Sequence, residues 1–138
     1  MDRLLELDLE SISTGLITSA RHWNKPVVIF NSASKCGFTH QLAEFQKLYE
    51  QGQIVPIALP TNEFGSQEPG DNAEIIQYAC KVYNVQFPIC MKTDLNHKLF
   101  KTYGKPAWNF NKYLFDKDHK FVKMFDSKFE PRHLLDHV

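Results

Sequence analysis

The chain carries three cysteines, at positions 36, 80 and 90, and the first sits where a thiol can do chemistry. Cys36 follows the apolar run Val27-Val28-Ile29-Phe30 and precedes a helical pattern, within Asn31-Ser32-Ala33-Ser34-Lys35-Cys36-Gly37-Phe38-Thr39. A strand-to-helix turn holds a side chain just past the carboxyl end of a strand, where open α/β sheets build their sites. Unpaired amides at a helix start and the adjacent Lys35 charge both favour thiolate over thiol, and the thiolate is the nucleophile. The same position also suits a small buried hydrophobe, the usual role of a free cysteine, so placement alone leaves both readings open. Three cysteines, with no Cys-x-x-Cys and no Cys/His spacing, make neither a secreted disulfide framework nor a zinc site.

A reactive turn of this kind needs a scaffold, and the hydrophobic periodicity supplies one. Val27 to Asn31 reads as a strand buried on both faces, and Ile54 to Leu59 as a second, where Pro56 removes a ladder donor and favours an edge or a bulge. Between them, Thr39 opens a helix with an apolar stripe of Leu42, Phe45, Leu48 and Tyr49, stopped by Gly52. A polar loop from Pro60 to Gly70 leads to Asp71 and Glu74, a capping box for a helix to Tyr83 with Ile75, Ile76, Ala79, Val82 and Tyr83 on its buried side. Cys80 falls about 90° from the centre of that stripe, flanking the core face. Gln86 to Cys90 reads as a short strand, with Cys90 a buried structural thiol. Trp108 to Phe115 and Lys120 to Phe125 read as a hairpin around Asp116-Lys117-Asp118-His119, and Glu130-Pro131 as the start of a last helix. The alternation of Leu5, Leu7 and Leu9 predicts an additional outer strand. The order is that of an α/β sandwich with a parallel start and an antiparallel finish.

Length and composition exclude several function classes. At 138 residues, 43% hydrophobic and 13% aromatic, the chain has the profile of one domain spanning residues 1–138 and not of a disordered segment. Sixteen basic and sixteen acidic side chains cancel, so no overall field draws nucleic acid or an anionic membrane. The longest apolar run is too short to span a bilayer, and Met1-Asp2-Arg3-Leu4-Leu5-Glu6 lacks the pattern of a secretory leader. The expectation is a cytoplasmic protein without stable membrane association.

Three segments then bear on Cys36. The string around it, the loop Asn62-Glu63-Phe64-Gly65-Ser66-Gln67-Glu68-Pro69-Gly70 and the triplet Trp108-Asn109-Phe110 occur in the order of the signature segments of the glutathione peroxidase family, which the chain closely resembles. With weaker matches at 84–88 and 116–118, the resemblance covers about residues 27 to 126. It implies a thioredoxin-like sandwich, a central mixed sheet flanked by helices, whose peroxidatic residue aligns with Cys36 and whose assisting residues align with Gln67, Trp108 and Asn109. Breaking a peroxide O–O bond independently calls for a stabilised thiolate and for hydrogen-bond donors to the leaving oxygen. Side-chain amides and an indole N–H can donate without acting as bases. Without the resemblance these three read as a loop surface residue, a core residue and a strand-end turn.

The resemblance extends to the second half-reaction. The segment from Tyr78 to Pro88 resembles the one that holds the resolving cysteine in thioredoxin-dependent members, which makes Cys80 the expected resolver. The function implied is a cysteine-dependent peroxidase for hydrogen peroxide or organic hydroperoxides, active in oxidative stress and independent of metal, haem, flavin or selenium. Its cycle would pass through a Cys36 sulfenic acid and a Cys36–Cys80 disulfide reduced by thioredoxin. The alternatives are a glutathione-reduced peroxidase in which Cys80 is structural, and a peroxide-sensing thiol switch or binding module. Thr61 stands where many members carry a further cysteine, and Glu63 where glutamine is common. The stretches at 94–98 and 103–108 are short, and the loop that supports tetramers in selenium-containing relatives is not recognisable. That favours a monomer or weak dimer.

Overall fold

The computed structural model describes residue 7, residues 9–16 and residues 24–138. A small hairpin of β1 (Glu10–Ser11) and β2 (Gly15–Leu16) precedes the main sheet. That sheet has four strands in the order β4-β3-β5-β6, formed by β3 (Val27–Phe30), β4 (Val55–Ala58), β5 (Lys112–Phe115) and β6 (Phe121–Phe125). β3 pairs parallel with β4, with Val28 opposite Pro56, and antiparallel with β5, with Val28 opposite Leu114. β5 and β6 close the sheet antiparallel through a bulge at Leu114/Phe115. The mixed, thioredoxin-like sandwich implied by the sequence is the observed fold.

Every residue of β3 is buried because both faces of the sheet are covered. Val28, Phe30 and Leu114 pack with α1 (Gln41–Gln51), α2 (Asn72–Tyr83) and the closing 3-10 helix Pro131–His137, through Leu42, Phe45, Leu48, Ile75, Ala79 and Leu134. Phe30 stacks flat on Phe45 with ring centroids 3.9 Å apart. Val27, Ile29, Tyr113 and Phe115 face the other way, onto Leu99 and Phe100 of α3 (Lys98–Tyr103) and onto Leu7 and Cys90. Alternation along β3 thus serves two cores at once, and the site lies where its carboxyl end leaves the sheet.

Several boundaries differ from the sequence reading. α1 begins at Gln41, not Thr39, because the Thr39 hydroxyl is engaged in the preceding turn. It ends as expected on Gly52, at φ 78°. The Asp71/Glu74 capping box is present in both directions. Val82 is exposed, not part of the buried stripe. Gln86 to Cys90 makes only single bridges, from Ile89 to Ala58 and from Cys90 to Ser11. β4 is the sheet edge, as Pro56 predicted, and with no N–H at Pro56 its outer rim offers that segment Ala58 alone, which bonds Pro88 and Cys90. The first hairpin strand is only Lys112–Phe115; residues 108–111 form a turn in which Phe110 takes φ 63°. The last helix starts at Pro131 but winds as 3-10. α3, six residues long, carries too little periodicity to be read. Of the predicted outer strand, Leu5 lies outside the described residues, Leu7 and Leu9 are buried without strand pairing, and the strand is the next pair, Glu10–Ser11.

Candidate active site

The turn between β3 and α1 holds Cys36 half-buried against the core on the α1 side. Three bonds shape it. The Cys36 N–H donates to Thr39 Oγ1 at 2.9 Å, the Thr39 hydroxyl donates to the Ala33 carbonyl at 2.8 Å, and the Phe38 N–H donates to Cys36 Sγ at 3.3 Å. The sulfur thus faces a backbone N–H donor within its own turn.

The loop between β4 and α2 brings Gln67 beside this turn: the Lys35 N–H donates to the Gln67 carbonyl at 3.0 Å. Gln67 Oε1 in turn accepts from Asn109 Nδ2 at 3.1 Å, and the same Asn109 amide reaches the Phe64 carbonyl at 3.2 Å. Asn109 is fully buried, yet its Oδ1 has no partner among the described residues. A buried amide oxygen left in that state costs about 1–3 kcal/mol unless a donor arrives from elsewhere. Trp108 is 37% exposed and meets Phe64 edge to face at 6.0 Å. Gly65 makes that approach feasible: it takes φ 68°, and a Cβ there would lie 2.9 Å from the Trp108 ring. Gln67, Trp108 and Asn109 therefore form one cluster, and a backbone bond ties it to the cysteine turn.

Sequence reasoning missed the supports beneath. Asn31, at the end of β3, donates through Nδ2 to the Trp108 carbonyl at 2.8 Å and accepts the Asn111 N–H at 3.0 Å, while its carbonyl takes the Phe110 N–H. The Ser127 hydroxyl donates to the Asn109 carbonyl and accepts from Asn111 Nδ2. Lys112, wholly buried, donates through Nζ to the carbonyls of Asp126 and Ser127. Burial pulls its amine down to about 7, against the attraction of Asp126 and Glu44. A lysine in a strand signals an exposed face; only the turn at Asp126 and Ser127 reveals what buries it. Glu68, next to Gln67, is buried too, and burial raises its carboxyl above the ordinary range, against hydrogen bonds from Ser34 and the attraction of Lys92. Its neighbours in sequence are all polar or turn-forming, so no pattern marked it.

The other two sulfurs are held differently. Cys80 is exposed near the end of α2, and its thiol donates to the Val85 carbonyl at 3.6 Å. It forms no disulfide with Cys36. The structure brings Cys36, Gln67, Trp108 and Asn109 into one linked region and leaves Cys80 outside it. Cys90 is buried, with burial pushing its thiol up to about 12. Among the described residues no helix is long and apolar enough to cross a membrane.

Residues 4–112 match the glutathione peroxidase family profile. The chain belongs to the glutathione peroxidase family. It is 35% identical to the glutathione peroxidase-like peroxiredoxin gpx1 of Schizosaccharomyces pombe, the match covering 80% of each chain. It is 37% identical to the glutathione peroxidase-like peroxiredoxin GPX5 of Chlamydomonas reinhardtii, covering 83% of this chain and 80% of that one. The glutathione peroxidase homolog BsaA of Bacillus subtilis is 34% identical, over 83% of this chain and 82% of its own. Among solved structures, Trgpx in apo form aligns with a TM-score of 0.73 at 23% identity, covering 99% of this chain and 93% of that one. A thioredoxin-like protein from Aeropyrum pernix aligns with a TM-score of 0.70 at 15% identity, covering 94% and 88%. As a glutathione peroxidase family member, the chain is a thiol peroxidase that pairs a peroxide substrate with a thiol reductant.

Proposed function

We propose that Cys36 is the peroxidatic nucleophile, that Gln67, Trp108 and Asn109 assist it, and that Cys80 resolves the oxidised sulfur. The observation that carries this reading is the continuous hydrogen-bonded path from Asn109 to the Gln67 side chain and from the Gln67 carbonyl to Lys35, beside a sulfur that accepts the Phe38 amide. Gln67 Nε2 and the Trp108 indole N–H have no protein acceptor among the described residues, so both are available to a leaving oxygen. The Asn109 Oδ1, unpartnered among the described residues, would accept a hydrogen bond from the O–H of a hydroperoxide.

In the first step the Cys36 thiolate attacks one peroxide oxygen and the O–O bond breaks. The other oxygen leaves with the bonding pair, takes a proton and departs as water or alcohol, while Cys36 becomes a sulfenic acid. The Cys80 thiolate then attacks the Cys36 sulfur, the S–O bond breaks, water leaves after proton uptake, and a disulfide remains. Two electrons and two protons from a reduced dithiol restore both thiols. The names of the gpx1 and GPX5 relatives, peroxiredoxins of glutathione peroxidase type, favour thioredoxin as that dithiol over glutathione. The protein acts as one domain, in the cytoplasm during oxidative stress, as a monomer or weak dimer.

Intact-mass analysis after one equivalent of hydrogen peroxide, with mapping of the joined sulfurs, tests nucleophile and resolver together. Cys36→Ser is expected to abolish peroxide consumption. Cys80→Ser is expected to form one sulfenic acid per chain and then to stall with thioredoxin. Normal cycling of Cys80→Ser with thioredoxin removes the resolver assignment.

A further inference from the structure

We propose that Lys92 is a positioning residue for peroxide attack: its ammonium staples the far end of the Gln67 loop and so sets where the Gln67 amide lies beside Cys36. The proposal deepens the reading above and rests on Cys36 as the nucleophile and Gln67 as a donor. Lys92 Nζ donates to the Glu68 carbonyl at 3.0 Å and to the Gly70 carbonyl at 2.7 Å. The Lys92 N–H is held in turn by Asn72 Oδ1, at the start of α2, at 2.8 Å. The next residue grips the near end of the loop. The Thr93 N–H donates to the Pro60 carbonyl at 2.9 Å, and Thr93 forms a parallel bridge with Thr61. Two successive residues thus close both ends of the loop 60–70, the arrangement that makes a compact unit of an irregular segment.

Gln67 lies between these ties. The peptide joining it to Glu68 is fixed on both sides, because the Gln67 carbonyl accepts the Lys35 N–H at 3.0 Å and the Glu68 N–H donates to Asn62 Oδ1 at 2.9 Å. The Glu68 carbonyl comes one peptide later, and Pro69 brings no N–H with which that stretch could anchor itself. Without the ammonium, the placing of Gln67 falls to Lys35, Asn62 and Asn109. An ammonium suits the task. It offers three donors and no acceptor, and it faces two carbonyls and, in Glu68, a buried carboxylate that attracts it. A lysine kept only to neutralise Glu68 would have no use for the two carbonyls, and one kept only for stability would act on the fold regardless of Gln67.

The test follows Cys36 by peptide mass in the full chain through two reactions. Oxidation by hydrogen peroxide uses the Gln67 donor, whereas alkylation by iodoacetamide needs only a reachable thiolate. Lys92→Met keeps most of the side chain's length and removes its donors. It is expected to slow oxidation about tenfold, below the roughly hundredfold that a 1 Å misplacement can cost, and to leave alkylation within about threefold. Because Lys92 acts through Gln67, the two losses should not multiply: in a Gln67→Ala chain, adding Lys92→Met is expected to cost less than about threefold more. A further tenfold loss in that background overturns the proposal, since Lys92 would then act by another route. Oxidation of Lys92→Met at the parent rate overturns it too, as does an equal slowing of both reactions. Should the methionine chain not fold, Lys92→Gln, one bond too short to hold both carbonyls, enters the same comparison with the same expectations. Parent-rate oxidation of Gln67→Ala, or peroxide consumption by Cys36→Ser, would instead overturn the reading on which the proposal rests.

Discussion

The two sulfurs of the proposed redox pair are held in opposite ways. Around Cys36 the nearby segments are cross-braced: Thr39 closes the turn, Lys35 meets Gln67, and Asn31 and Ser127 fix the Trp108–Asn109 turn from below. Around Cys80 the ties are few. Its thiol has one long bond to Val85, α2 ends on Asn84 in the left-handed region at φ 52°, and Val82 beside it is 57% exposed. The contrast fits the two tasks. Attack on a peroxide gains from donors fixed before the reaction, because they need no reorganisation as charge develops. Closing a disulfide requires two Cα atoms within about 7 Å, which calls for a segment that can move.

The braced side should show the largest effects. Replacing Gln67 or Trp108 by alanine is expected to slow peroxide attack by about 10²- to 10³-fold, the range for losing one preorganised donor, as read by stopped-flow oxidation of Cys36. A loss below about threefold would assign these side chains to packing and erase the contrast.

The next effect is on stability beneath Asn109. With the Lys112 amine near 7 in the folded chain and 10.5 as its ordinary value, the unfolded chain holds more protons between those limits. The penalty for burying this charge is therefore complete below pH 7 and fades as pH rises toward 10.5. Lys112→Met, compared with the parent by denaturant unfolding, is expected to fare about 3 kcal/mol better at pH 6 than at pH 9. An equal difference at both pH values would show that the buried amine carries no charge penalty.

The smallest effect belongs to the sparsely tied side, around Cys80. Asn84→Ala loses a residue that tolerates the left-handed conformation and should weaken the end of α2 by about 1 kcal/mol. Disulfide formation after one equivalent of peroxide, followed by intact mass, is then expected to quicken about fivefold while peroxide attack is unchanged. Unchanged disulfide formation would mean that fraying of α2 does not limit resolution.

Much of the scaffold was legible because it rests on local rules. The β-branched run at Val27, the helix stop at Gly52 and the reciprocal cap of Asp71 and Glu74 each state their conformation within a few residues. The cysteine turn and the three assisting positions were legible through motif order, and the structure brings them together. Thr39 shows where that reasoning ends. As a residue before an apolar stripe it reads as the helix opener, but its hydroxyl is spent on Ala33 and Cys36, contacts no spacing rule anticipates. Glu68 and Lys112 show it more sharply. Composition places charged side chains in water, and only chain segments far along the sequence, at Lys92 or Ser127, decide that these two are enclosed.

Ser127 also bears on how the molecule comes into being. Its hydroxyl reaches back 18 residues to the Asn109 carbonyl, and Asn31 spans 77 residues to the Trp108 carbonyl. No early fragment of the growing polypeptide holds all of these parts, and loop-closure entropy delays such distant partners until most of the sheet is built. The cysteine turn emerges from the ribosome about ninety residues ahead of Ser127. In its youth the protein is an ordinary thiol, and its selectivity arrives only with the last strand.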